Sequence, residues 1–191
     1  MRSTHQTILD MTALFLACLS CACGGQAGGD TSEPAATNQG VFTLSSDAGS
    51  DGGELPADYT CDGSGASPSL SWSNTPAGTR EFALIMSTIT VDGETKYNWV
   101  LYSIPVSARS LVRDSTGIGT EGAGSNGSTL AYEPPCSQGP GPKLYTFTLY
   151  ALSGSPRLPD QAYQVTGNVL AEAVSSLTLG SASLNLSYTR P

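Results

Sequence analysis

The stretch Leu144-Tyr145-Thr146-Phe147-Thr148-Leu149-Tyr150-Ala151-Leu152 sets one series of apolar and aromatic residues at every second position. Successive side chains of a strand point to opposite faces, so this spacing predicts a strand with one face in a core. Its aromatic residues and threonines suit a pleated surface. Val41–Ser45, Ser69–Ser73 and Ser183–Thr189 alternate in the same way. Phe82–Met86 is a continuous apolar run and reads as a buried central strand. Asn98–Ile104 is another, closed by Pro105. A single stretch, Asn168–Leu177, favours helix, with Thr166 as its N-cap and Gly180 beyond its end. A sheet with one apolar face needs a second layer, so the chain from residue 41 to 191 reads as a single mainly-β sandwich with one short helix.

Composition narrows the function. Charged residues are only 13%, and the chain carries 22 Gly and 12 Pro, which excludes coiled coils and long solvated helices. Lys plus Arg is 8 against 16 Asp plus Glu, a net charge of −8. A nucleic-acid binder needs a basic stripe to displace counterions, and none exists here. The one histidine is His5. If the leader is removed, the mature chain lacks imidazole, and Ser-His-Asp, Cys-His and His-ligated zinc chemistry fall together. No metal and no cofactor are expected.

The first 23 residues read as an export signal. A weakly basic start is followed by the apolar run Met11–Leu19, too short to cross a bilayer but long enough for a signal-peptide core. The following Ser20-Cys21-Ala22-Cys23 is similar to a bacterial lipobox, whose cysteine is acylated and becomes the first mature residue. Cysteine counting favours Cys23 over Cys21, because processing there leaves no stray thiol. The competing reading is a plain secreted protein. Residues 24–40 hold no large apolar side chain and read as a flexible tether. The expectation is an exported protein, lipid-anchored to the cell envelope through its N-terminus.

Two cysteines remain, Cys61 and Cys136. In an oxidising compartment an even pair reads as a disulfide. It would close a loop of 76 residues counted inclusively. The chain-entropy model values such a closure at about 4.5 kcal/mol. It would also tie the Tyr59–Gly63 turn to whatever surrounds Cys136. A reactive thiol pair is the alternative, but no neighbouring cation in sequence would lower a thiol pKa.

The order of several motifs then resembles a known family. Leu55-Pro56 and Tyr59-Thr60-Cys61-Asp62-Gly63 lead to Ser67-Pro68-Ser69-Leu70-Ser71-Trp72, then Pro76-Ala77-Gly78-Thr79. The Phe82–Met86 strand, Trp99-Val100, Ser103-Ile104-Pro105, Tyr132, Pro135-Cys136 and Tyr145–Leu152 follow. This is similar to the phosphatidylethanolamine-binding protein family, in its bacterial Raf kinase inhibitor-like branch, from about Val41 to the C-terminus. The resemblance implies an antiparallel β-sandwich with one or two short helices and a small surface cavity for anionic groups such as phosphate head groups.

The departures bear on function. Where the family carries two aspartates, Thr88 and Thr90 stand; where it carries His-Trp, there is Asn98-Trp99. Its Gly-Pro-x-Pro-Pro loop reads Pro134-Pro135-Cys136-Ser137-Gln138, and Lys143 replaces the second histidine. By family position the candidate ligand residues are Thr88, Thr90, Asn98, Trp99, Tyr132, Pro135, Lys143 and Tyr145. The expectation is a cavity emptied of carboxylates, with Lys143 as its remaining charge. Such a cavity suits a small neutral or anionic molecule or a lipid head group, bound without catalysis. A lapsed site is the alternative, on a scaffold that meets a protein partner of unknown identity through loops such as Thr116–Ser128. A hydrolase built on carboxylates from Asp92, Glu94 and Glu133 is a third reading, but nothing in the sequence fixes their separation. Gly117-x-Gly119-x-x-Gly122 spells a dinucleotide fingerprint, yet no strand–helix pattern surrounds it, so it reads as a flexible loop.

Overall fold

The computed structural model describes residues 40–127, 129–138 and 140–191. The signal segment, the acylation candidates Cys21 and Cys23, and the tether but for Gly40 lie outside the described residues. Among the described residues, nine strands form two sheets. A small one takes β1 (Thr43–Ser45), β3 (Leu70–Ser73) and β6 (Ser110–Leu111) in the order β1-β3-β6. A six-stranded one takes β2 (Gly53–Glu54), β4 (Glu81–Ile89), β5 (Thr95–Pro105), β7 (Thr120–Glu121), β8 (Lys143–Leu152) and β9 (Thr178–Tyr188) in the order β2-β9-β8-β4-β5-β7. Neighbours pair antiparallel, except for the two-residue parallel contact of β2 with β9. Among the described residues, one α-helix, α1 (Gly167–Ser175), and two 3-10 turns complete the fold.

The central strand explains its own composition. β4 is paired on both sides, and both of its faces are covered. Phe82, Leu84 and Met86 enter the core between the two sheets, against Leu44, Leu70, Trp72 and Leu111 of the small sheet. Ala83 and Ile85 point the other way and pack with Val165, Leu170 and Val174 beneath α1. A strand sandwiched twice must be apolar at every position, which is why Phe82–Met86 shows no alternation. β8 keeps its period of two. Tyr145, Phe147, Leu149 and Ala151 face the inter-sheet core. On the opposite face Thr146 and Thr148 make cross-strand hydrogen bonds to Asn185 and Ser183 of β9.

Two expectations are corrected. The helix ends at Ser175, and Gly180 lies inside β9, paired with Ala151, rather than beyond a longer helix. A Cβ on Gly180 would stand 3.0 Å from Pro76 Cγ, so the glycine serves a close approach instead of a helix stop. The Thr116–Ser128 segment is no free loop where it is described. Its middle forms edge strand β7, and Gly122, Ala123 and Ser125 donate to the carbonyls of Val100, Val165 and Tyr97. The dinucleotide spelling falls on this edge, with Gly119 and Gly122 against the Tyr102 and Val165 carbonyls.

Candidate functional site

The β4–β5 ladder contains an irregularity that shapes the site. Met86 pairs with Trp99 and Ser87 with Tyr97, which leaves Asn98 as an extra residue in β5. A bulge of this kind bends the strand and re-aims its side chains. Here it reverses the alternation: Trp99 packs in the inter-sheet core, while Tyr97 packs beneath α1. Asn98, at the pivot, meets the segment that precedes the disulfide. Its Nδ2 donates to the Glu133 carbonyl at 3.0 Å, and the Glu133 N–H donates to the Asn98 carbonyl at 2.7 Å.

Beside this pivot, where β4, β5 and β8 end, lies a cavity of about 340 Å³. Thr88 comes from the end of β4 and Thr90 from the turn just after it, Lys96 and Asn98 from β5, and Lys143 and Tyr145 from the start of β8. Pro134, Cys136, Ser137 and Gln138 form a wall of it rather than a plug. That wall is anchored by the Cys61–Cys136 disulfide, whose Cα atoms stand 5.3 Å apart, and by the Cys61 N–H on the Pro135 carbonyl. The bridge expected from sequence therefore ties the Tyr59–Gly63 turn to the cavity.

Five of the eight candidate residues gather here: Thr88, Thr90, Asn98, Lys143 and Tyr145. The Thr88 hydroxyl donates to the Leu144 carbonyl and that of Thr90 to the Glu94 carbonyl, so both side chains also hold the strand ends together. The other three do not line this cavity. Pro135 is buried behind the wall, where its carbonyl accepts from Cys61. Trp99 and Tyr132 line a second hollow of about 290 Å³, their rings edge to face at 5.5 Å. Trp99 is 1% exposed, and its indole N–H is shared by the two carboxylate oxygens of Glu121. Burial pushes Glu121 up to about 7 against the opposing pull of that indole. Burial likewise raises the Tyr132 and Tyr145 phenols, and the Tyr132 hydroxyl donates to the Tyr59 carbonyl.

The expectation of a hollow emptied of carboxylates is overturned. Asp92 and Glu94 lie exposed along its edge, and Glu133 lines it while only 6% exposed. Asn126 donates to Glu133 Oε2 through its side chain at 2.7 Å and through its main chain at 3.4 Å. Glu133 Oε1 and Asn98 Oδ1 are both buried without a hydrogen-bond partner. Burial raises the Glu133 carboxyl above the usual range, with the Asn126 bonds working in the other direction. Asn126 lies in the Thr116–Ser128 segment, and its sequence context, Asn126-Gly127-Ser128, spells a glycosylation sequon and gives no sign of a place in the site. Glu133 was visible only as one acid among three, although its place directly after Tyr132 was the available signal.

A two-sheet sandwich with a cavity at its strand ends and a helix behind the larger sheet is the architecture these residues build. The family model for phosphatidylethanolamine-binding protein matches residues 45–189, and the chain belongs to that family. It is 32% identical over 195 residues to a Mycobacterium tuberculosis protein named "Putative lipoprotein LppC", with 94% of each chain covered. It is 34% identical over 134 residues to a UPF0098 protein of Aquifex aeolicus, covering 64% of this chain and 78% of that one. Among solved structures, a homologue of the family from Chlamydia trachomatis, CT736, superposes with a TM-score of 0.71 at 26% identity, over 79% of this chain and 99% of that one.

Proposed function

We propose that the chain is a non-catalytic binding module of the cell envelope, exported and held by a lipid on Cys23 or Cys21, whose cavity takes a small molecule or lipid head group. The observation that carries this reading is the cavity itself. Lys143 and Asn98 both line it, and the Pro134–Gln138 segment bounds it without filling it. A hydrolytic role is disfavoured because Asp92 and Glu94 stand exposed at its edge while Glu133 is buried, leaving no matched acid and base around one reacting atom. The relative named as a lipoprotein, matched over 94% of this chain, supports the anchor.

The reading of a protein-interaction domain draws on a different observation. Ile89 and Val91, at the cavity's edge, are 57% and 77% exposed. Titration with phosphoethanolamine, phosphate and acetate, followed by amide chemical shifts, separates the two. Shifts confined to the surroundings of Asn98, Glu133 and Lys143 with at least one probe support binding. No shift at millimolar concentrations of all three contradicts it.

A further inference from the structure

We infer that the chain carries a separate site for a neutral saccharide beside α1, with the Tyr163 ring as its stacking platform. A third hollow, of about 450 Å³, opens there between β5, the segment after β7 and the residues that lead into the helix. It adjoins the first cavity, with which it shares Tyr97 and Ser125, while Thr95, Tyr163, Thr166 and Asn168 belong to it alone. Of the aromatic side chains among the described residues, Tyr163 is the one exposed, at 61%. The fold holds it there. The 3-10 turn Ala162–Gln164 closes through the Val165 N–H on the Ala162 carbonyl, and the Val165 carbonyl accepts from the Ala123 N–H. Val165 is fully buried beneath α1, so the turn is anchored and its tyrosine is left outside.

A pyranose offers the matching surface: C–H groups that pack on the negative face of an aromatic ring, and hydroxyls around its edge. The remaining lining meets those hydroxyls with both donors and acceptors. The Ser125 hydroxyl accepts from the Tyr97 N–H at 2.8 Å and keeps its own hydrogen to donate. The Thr166 hydroxyl donates to Asn168 Oδ1, which leaves the Thr166 oxygen to accept and the Asn168 Nδ2 to donate. None of the described residues lining the hollow carries a carboxylate, ammonium or guanidinium. An ionic ligand would therefore give up its hydration for no countercharge, whereas a neutral one does not. The floor is set before any ligand enters. The Tyr97 ring lies against Gly167, where a Cβ would collide with it, and the Ser125 N–H is held by the Tyr97 carbonyl at 2.9 Å.

Titration of the protein with glucose, mannose, N-acetylglucosamine and maltotriose, followed by amide chemical shifts, tests this, with phosphate as a charged probe. At least one saccharide is expected to shift Tyr163, Thr166 and Asn168, and phosphate is expected to leave them unmoved. Tyr163→Ala is expected to weaken that binding by at least about tenfold, and Tyr163→Phe, which keeps the ring, to hold it within about threefold. Affinity about tenfold higher for maltotriose than for glucose assigns a glycan chain, and equal affinity a free sugar. Silence from all four saccharides overturns the site, as does binding that Tyr163→Ala leaves intact. Shifts at Thr166 and Asn168 with phosphate alone mark an anion at the start of the helix and overturn it too. Saccharide shifts confined to Asn98, Glu133 and Lys143 belong to the first cavity and overturn this site while that one stands. Should Tyr163→Ala fail to fold, the comparison of probes on the unmodified chain decides alone.

Discussion

Asn98 and Glu133 hold one another through two hydrogen bonds that cross 35 positions of sequence, one from the Asn98 amide and one from the Glu133 N–H. The bulge in β5 turns Asn98 toward this contact, and the contact fixes the segment carrying the buried carboxylate.

Removal of the amide is therefore expected to cost stability. Asn98→Ala leaves the Glu133 carbonyl without its side-chain donor, at about 1–2 kcal/mol. Urea unfolding should show a lower midpoint with an unchanged slope.

Glu121 sets a pH dependence. Its folded pKa is raised from the ordinary 4.5 to about 7, so it favours the fold while protonated in both states. That contribution is complete below about pH 4.5 and is lost as pH rises through 7. The raised Glu133 carboxyl acts in the same direction. Asp51 and Asp58 are lowered by their hydrogen bonds and act only below the ordinary carboxylate range. Glu121→Gln should flatten the decline between pH 5 and 8 and gain about 1–2 kcal/mol at pH 8, discounted for the solvent this group still meets. Melting temperatures across that range provide the check.

The disulfide joins residues 75 positions apart. Reduction, or Cys61→Ser with Cys136→Ser, should lower stability by about 4.5 kcal/mol in the chain-entropy model. Mass spectrometry that finds free thiols at both positions in the purified protein would contradict the bridge.

Gly124 packs against the carboxylate of Glu133, and a Cβ added there would collide with it. Glu133 is buried and held by Asn126, so it cannot simply swing aside. Gly124→Ala is expected to destabilise by about 1–3 kcal/mol and to displace the carboxylate from Asn126. Denaturant midpoints and the Asn126 side-chain amide resonances report the two effects.

The period of β8 was legible because one of its faces meets a single core. The apolar run of β4 marked a central strand without revealing that its two faces meet different partners, the small sheet and α1. Trp99 belonged with the site by family position. The bulge at Asn98 reverses the alternation in β5, and a bulge has no signature in residue type. Gly180 read as a helix end because glycine permits both that and close packing, and only the approach of Pro76 distinguishes them. Glu133 could not be assigned from spacing, since the bonds that bury it come from Asn98 and Asn126 on other segments.

The most direct test is titration of the protein with phosphoethanolamine, phosphate and acetate, followed by amide chemical shifts. A binding cavity predicts shifts confined to the surroundings of Asn98, Glu133 and Lys143 with at least one of the three. No shift at millimolar concentrations of all three, or shifts that avoid these residues, would contradict it.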